Sequence, residues 1–367
     1  MLSCLKQIIE RFLIAFRRYK CYAFYVSQFK RYLKAQGIEN KKAEGEDDYI
    51  AKWKVLCKIV EPFSYRFFSH YCGNTPNIIP EDIGHSYVES ILNPPTFRPV
   101  YSDKNLFPKI IGKEHLPRTI LCRINGSGLL DADFHYADKS LAHYIGNLDR
   151  LVLKPSKGRS GKGVMLFHKD GEKFVSNDNN IVLSKDFLLS CGRDFCLQEA
   201  VQQHAFMSNL CSSSVNTIRL CLYRSVKDEE SHVTASIIRI GKEGAFVDNA
   251  HAGGTFVGVD LSTGMLGKYV MDQYGNKKTI WNQIDFSTIT LYVPFWHDVI
   301  SFARFVGTRI PHHRLIALDV ALESSGNPIL IEYNIDSFGY WLFMLTGQEV
   351  FGGYTDEIID YCVKRKK

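Results

Sequence analysis

The chain has 367 residues, 45% of them hydrophobic and 23% charged, with a formal net charge of +6. That is room for two or three subdomains with full cores, and it excludes a wholly disordered, collagen-like or coiled-coil chain. The charge is uneven: residues 1–37 hold eight basic residues against Glu10 alone (+7), the tail Lys364-Arg365-Lys366-Lys367 adds +4, and residues 38–363 carry −5. A slightly acidic body with basic ends does not predict a nucleic-acid binder.

Ten scattered cysteines include no Cys-x-x-Cys pair. This predicts reduced thiols in a cytoplasmic protein rather than a zinc site or a disulfide framework. The N-terminal apolar residues are interrupted by Lys6, Glu10, Arg11, Arg17 and Arg18. Neither a signal peptide nor a membrane-spanning helix is therefore expected.

In chain order, Leu2, Leu5, Ile9, Phe12, Leu13 and Phe16 share one face of a helix. A second stripe, Tyr19, Tyr22, Val26, Phe29 and Leu33, is rotated from the first, and Gly37 ends the pattern. Such a basic, aromatic-rich helix can lie on an anionic membrane surface or pack on the body or a partner subunit. Residues 49–72 read as a helical hairpin broken near Pro62, and Pro76, Pro80, Pro94, Pro95 and Pro99 read as an extended, loop-rich connector. From 119 onward short apolar strands alternate with helices. The strands are Thr119–Ile124, Leu151–Lys154, Val164–His168, Phe195–Ala200, Val215–Tyr223, His232–Ile240 and Ala245–Asp248. A helix near 293–306, strands Leu315–Leu322 and Ile329–Tyr333, and a helix near 353–364 complete the chain.

Two segments carry chemistry. In Leu151–Val164 a strand ends in Lys154, and a turn follows with Lys157, Gly158, Arg159, Ser160, Gly161, Lys162 and Gly163. Glycines let backbone N–H groups approach phosphate oxygens, and the lysines supply charge. The turn leads into a strand, so it is neither a P-loop nor a Rossmann fingerprint, and an ordinary basic hairpin turn is the competing reading. In the second segment, Asp319 lies on one strand, and Glu332 and Asn334 lie two apart on its hairpin partner. Two carboxylates and an amide oxygen suit magnesium held with nucleotide phosphates, and a strand face open to solvent is the competing reading, against which the apolar flanks weigh. Arg219 sits in the alternating run Val215, Thr217, Arg219, Cys221, where a plain surface arginine would also fit. The turn Asp248-Asn249-Ala250-His251-Ala252-Gly253-Gly254 offers Asn249, His251, Gly253 and Gly254 as substrate contacts, and a tight β-turn with locally satisfied polar groups is the competing reading.

The ordered set of these segments resembles the ATP-grasp superfamily, and most closely the sugar-transfer-associated ATP-grasp family of polysaccharide biosynthesis. The residues that carry it include Tyr101–Asn105, Lys154–Val164, Leu197–Val201, Ser214–Arg219, Asp248-Asn249 with Gly253-Gly254, Asp319, Glu332–Asn334 and Phe351–Glu357.

The resemblance implies an α/β (α+β lobes) ATP-grasp fold with a helical N-terminal region. It divides as 1–100 helical with the Pro-rich connector, 101–203 the small lobe with a glycine-rich lid, and 204–367 the C-terminal lobe. It also implies ATP and Mg2+ as cofactors. Lys104, Lys154, Lys157, Gly158, Ser160, Gly161 and Gly163 would meet the phosphates, and Gln198, Glu199 and Val201 the adenine. Asp319, Glu332 and Asn334 would hold the metal, with Arg219 and Lys154 catalytic.

The activity implied is an ATP-dependent carboxylate–amine (or thiol) ligase acting through an acyl phosphate, in surface polysaccharide synthesis. A sugar kinase and a non-catalytic nucleotide-binding partner of a glycosyltransferase complex are the alternatives. Residues 1–37 would bring a cytoplasmic protein to the inner face of the membrane or to a membrane-bound glycosyltransferase. Many ATP-grasp ligases follow the Glu-x-Asn pair with Pro-Gly. Here Ile335-Asp336-Ser337-Phe338-Gly339-Tyr340-Trp341 follows, so substrate identity does not carry over.

Overall fold

The computed structural model describes residues 2–158, 161–177, 181–245, 248, 250 and 253–365, excepting the side chains of 2–8, 10 and 11. Its elements follow from the apolar patterning. Helix α1 (Leu2–Ala35) has no glycine or proline in its length and ends just before Gly37 at φ 66°. Helices α2 (Glu46–Lys54) and α3 (Phe63–Cys72) form the expected pair, and Pro62 stands at the N-cap of α3. The stretch 76–99 differs from the extended connector predicted. It contains short helical turns Glu81–Ile83 and Glu89–Leu92 joined by a π-helix, Gly84–Val88, and Ile79, Ile83, Val88 and Leu92 are buried. The prolines mislead because Pro80 and Pro95 sit at a helix cap and a first-turn position, where a missing N–H costs nothing.

Two antiparallel sheets follow. The smaller holds β1 (Thr119–Arg123), β2 (Arg150–Pro155), β3 (Met165–Asp170), β4 (Lys173–Ser176) and β5 (Phe195–Glu199), in the order β1-β5-β2-β3-β4. The larger holds β6 (Thr217–Arg224), β7 (Ser231–Ile240), β8 (Thr255–Gly258), β9 (Val270–Met271), β10 (Lys277–Lys278), β13 (Leu315–Leu322) and β14 (Pro328–Asn334), in the order β10-β9-β8-β7-β6-β13-β14. Strands β11 (Ile280–Trp281) and β12 (Ile284–Asp285) pair apart from both. Ala245 and Asp248 are not in a strand, contrary to the sequence expectation, and residues 246–247 lie outside the described residues.

The larger sheet has two differently covered faces. Ile218, Leu220, Ile238, Ile316 and Leu318 pack against the helix Trp296–Thr308. On the other face Cys221, Ala235, Ile237, Leu315 and Ala317 pack against α1–α3, the turns of 78–92 and the terminal helix Thr355–Arg365. Alternation along β13 and β6 then places Asp319 and Arg219 on that second face, beyond the edge of the helical cover. Apolar packing thus anchors these strands at one end, and the uncovered end carries the polar row. Among the described residues no helix is long and apolar enough to cross a membrane.

Candidate active site

A cleft of about 500 Å³ opens between the two sheets. Its apolar end is built from Val152, Leu166 and Ile331 together with the segment Gln198–Gln202 that leaves β5. Gln198 donates to Pro117 O (3.3 Å) and Thr119 Oγ1 (3.2 Å), which ties the end of β5 to β1.

The cationic end begins at Lys154, whose strand position on β2 is fixed by Leu151 and Leu153 in the small-sheet core. Burial pushes the Lys154 ammonium below its ordinary value; Lys104 adds to this, and Cys196 and Glu332 oppose it. Lys104 donates to Gly158 O (3.0 Å) and meets Glu332 Oε2 at 3.2 Å, so it links the glycine turn to the larger sheet. Gly158, Gly161 and Lys162 line the same end. Lys157 points elsewhere, toward Asp103 Oδ2 (3.4 Å) and Asp194 Oδ1 (4.0 Å), and is absent from the lining with Gly163. Gly163 is held at φ 73°, where a Cβ would come within 3.0 Å of Pro155 Cγ. That position therefore shapes the turn. Ser160 lies outside the described residues.

Facing the lysines is a cross-strand row. The register places Arg219 of β6 opposite Asp319 of β13, and Asp319 opposite Glu332 of β14. The pairing then jumps from Asp319↔Glu332 to Val320↔Leu330, which leaves Ile331 as the extra residue of a β-bulge. Such a bulge re-aims neighbouring side chains, and here Ile331, Glu332 and Asn334 all reach the cleft. Arg219 grips Asp319 with both arms of its fork, Nε to Oδ1 at 2.8 Å and Nη2 to Oδ2 at 2.6 Å. Arg239 of β7 donates to Asp319 Oδ2 (3.2 Å) and pairs through Nη2 with Asp248 Oδ1 (3.0 Å). Asp248 Oδ2 in turn accepts from Thr217 N (3.1 Å) and the Thr217 hydroxyl.

Burial alone would raise the Asp319 pKa, but the Arg219 and Arg239 guanidiniums overcome it and hold the carboxyl below its usual range. Asp248 shifts the other way, because burial outweighs Arg239. Among the described residues Asp319 Oδ1 accepts only Arg219 Nε, which leaves it a lone pair. Among the described residues the buried Asn334 amide Nδ2 has no hydrogen-bond partner. A hard-oxygen set of Asp319, Glu332 and the Asn334 amide oxygen fits magnesium, which is usually held by one or two carboxylates plus phosphates and water.

The loop after Asn334 closes the far end with Ser337, Gly339 and Trp341. It is held from residues some 240 positions earlier in the chain. Asn93 Nδ2 donates to Ile335 O (2.7 Å) and Leu315 O (2.5 Å). Glu89 accepts from Ser337 N (3.0 Å) and Phe338 N (2.9 Å). His85 sits between Glu89 (2.7 Å) and Glu81 (3.0 Å). Burial disfavours the His85 cation, but the two carboxylates raise its pKa to about 10. A Cβ at Gly84 would stand 2.6 Å from Tyr340 Cε2, so the π-helix approaches the loop as only glycine allows.

Sequence reasoning missed Arg239, Glu89 and His85. The signal for Arg239 was a lone charge inside Ser236-Ile237-Ile238-Arg239-Ile240, and for His85 the i,i+4 spacing Glu81-His85-Glu89. Gly253 and Gly254 do not line the cleft, while Asn249 and His251 lie outside the described residues.

The chain matches the family model described as sugar-transfer associated ATP-grasp over residues 84–358. Among curated proteins none matches it. Solved structures similar to it include D-alanine–D-alanine ligase from Bacillus anthracis, at 12% identity and TM-score 0.38, covering 72% of this chain and 67% of that one. VanG D-Ala:D-Ser ligase from Enterococcus faecalis is similar at 11% identity and TM-score 0.40, covering 72% and 61%. An L-amino acid ligase from Bacillus licheniformis is similar at 11% identity and TM-score 0.35, over 69% of this chain and 48%, about half, of that protein's length.

Proposed function

The chain belongs to the sugar-transfer-associated ATP-grasp family, and from that premise we propose an ATP-dependent ligase that joins a carboxylate to an amine in the synthesis or modification of surface polysaccharide. The observation that carries this reading is the placement of Lys104 and Lys154 across one cleft from the Arg219–Asp319–Glu332 row. Phosphoryl transfer is mostly positioning and charge neutralisation, and this pairing of surfaces provides both.

The geometry supports the following roles. Val152, Leu166 and the Gln198–Gln202 segment receive the adenine. Lys104, Lys154, Gly158 and Gly161 receive the phosphates, and the incoming polyanion favours the charged form of Lys154. Asp319, Glu332 and Asn334 would hold magnesium, which supplies charge neutralisation between the nucleotide phosphates. Arg219 and Arg239, oriented by Asp319 and Asp248, face the transferred phosphoryl group.

In the first step a substrate carboxylate oxygen attacks the γ-phosphorus, the bond to the ADP oxygen breaks, and an acyl phosphate and ADP form. In the second step an amine nitrogen attacks the acyl carbon. Inorganic phosphate leaves with one former carboxylate oxygen, and the nitrogen gives its proton to water. The loop Ile335–Trp341 forms the acceptor side, and residues 1–37 bring the enzyme to an anionic membrane face or a membrane-bound glycosyltransferase.

The test is ADP release by the purified protein with pools of amino acids and uronic-acid sugar nucleotides. Stimulation that needs both a carboxylate and an amine supports ligation. A stable phosphorylated sugar without amide formation would assign a kinase instead.

A further inference from the structure

Helix α1 has two apolar faces, and from Cys21 onward the body covers one of them; nearer the N-terminus Ile14, on that same side, is 45% exposed. Cys21, Tyr25, Phe29 and Leu33 fall on one side of the helix at 100° per residue. Phe29 and Leu33 are buried, Phe29 meets the rings of Phe67 and Phe68 at 5.7 and 5.3 Å, and Tyr25 stacks on His85 at 5.5 Å. Ile9, Phe12, Leu13, Phe16 and Phe24 fall on the opposite side, within an arc of about 120°. They are 45–68% exposed.

The same arc carries the exposed Lys20, Arg31 and Lys34, and the sequence has no acidic residue between Phe12 and Ile38. The free face is therefore apolar toward its N-terminal end and basic toward its C-terminal end, over about 39 Å of helix. A rigid stripe of large apolar side chains is costly to leave in water, and stripes of this kind mark interaction surfaces.

We propose that this face lies on an anionic lipid bilayer, with Phe12, Leu13 and Phe16 at the acyl boundary and Lys20, Arg31 and Lys34 against the headgroups. Three features select this occupant. The basic side chains complement anionic headgroups. The body packs through Tyr25, Phe29 and Leu33 on the opposite side of the helix. A second copy packed parallel would bring like charges together along the basic half, and one packed antiparallel would set those charges against the apolar half. The proposal rests on the membrane-or-glycosyltransferase role proposed for residues 1–37 and narrows it to lipid; it does not depend on the ligase chemistry, so the vesicle experiment can fail while ADP release still supports ligation.

The experiment is sedimentation of the full chain with vesicles of phosphatidylcholine alone or mixed with phosphatidylglycerol, at low and raised salt. The expected result is binding to the mixed vesicles that weakens with salt. A triple variant Lys20→Gln, Arg31→Gln, Lys34→Gln should lose about 100-fold in affinity, at about fivefold per charge. Phe12→Ser with Phe16→Ser should lose about tenfold or more, with melting temperature and nucleotide binding unchanged in both variants. Equal sedimentation with both vesicle types, or variants that bind as the parent does, would overturn the proposal. So would a concentration-dependent dimer abolished by the phenylalanine substitutions, which would assign the face to a second copy.

Discussion

Replacing Glu89 with glutamine should detach the loop Ile335–Trp341 while sparing the lysine end of the cleft. Glu89 is 4% exposed, and its carboxylate serves Ser337 N, Phe338 N and His85 at once. Glutamine keeps the volume but has one acceptor oxygen, and its NH2 group would face either a backbone N–H or the His85 cation. Each lost bond to a charged group costs about 1.5–3 kcal/mol. His85 retains Glu81, so its charge is only partly uncovered. The sum is about 3–5 kcal/mol, drawn from the loop rather than from the sheet core. Amide exchange followed by mass spectrometry on residues 335–341 reads this directly, and about 3 kcal/mol corresponds to exchange faster by about 150-fold. Nucleotide affinity should stay within about twofold, because the loop lies beyond the lysines. Unchanged exchange in 335–341, with stability within about 0.5 kcal/mol of the parent, would refute the reasoning.

Three further outcomes follow from the same geometry. Lys154→Met should lower nucleotide affinity by about tenfold or more, whereas Lys157→Met, whose ammonium pairs with Asp103 away from the cleft, should change it little, as calorimetric titration would read. Gly84→Ala should cost about 1–3 kcal/mol in urea denaturation, because its new methyl would stand 2.6 Å from Tyr340 Cε2. Stability should fall as pH rises. His85 is raised from 6.5 to about 10, so its contribution is complete below 6.5 and is lost as pH climbs through 10. Glu61 is raised by burial from 4.5 to about 8, which gives the same sign over its own window. Denaturation midpoints near pH 6 and pH 9.5 should therefore differ, and His85→Gln should flatten the alkaline part of the slope.

Much of the site was legible because its elements are local. The hairpin of β13 and β14 announced itself through two apolar runs around Ser324–Pro328, and alternation alone put Glu332 and Asn334 on one face. The bulge at Ile331 was not legible, because it is a property of register between two strands rather than of either sequence. The two stripes of α1 were readable, but which of them the body covers depends on where α3 and residues 81–89 sit. The mount of the loop Ile335–Trp341 was hidden for a different reason. Glu89 and Asn93 act largely on backbone amides and carbonyls, which any sequence offers, at a separation of more than 200 residues. Lys157 shows the converse: a basic residue in a basic turn read as a phosphate ligand until Asp103 and Asp194 were placed beside it.

The central claim is that the cleft activates a carboxylate by transferring the γ-phosphoryl group to it. Supplying pooled acceptor acids with oxygen-18 in their carboxyl groups, together with amines, ATP and magnesium, tests this most directly. The account predicts that the released inorganic phosphate carries one heavy oxygen, and that Glu332→Gln abolishes the transfer. Phosphate released without the label, or label-independent ADP formation that survives Glu332→Gln, would contradict it.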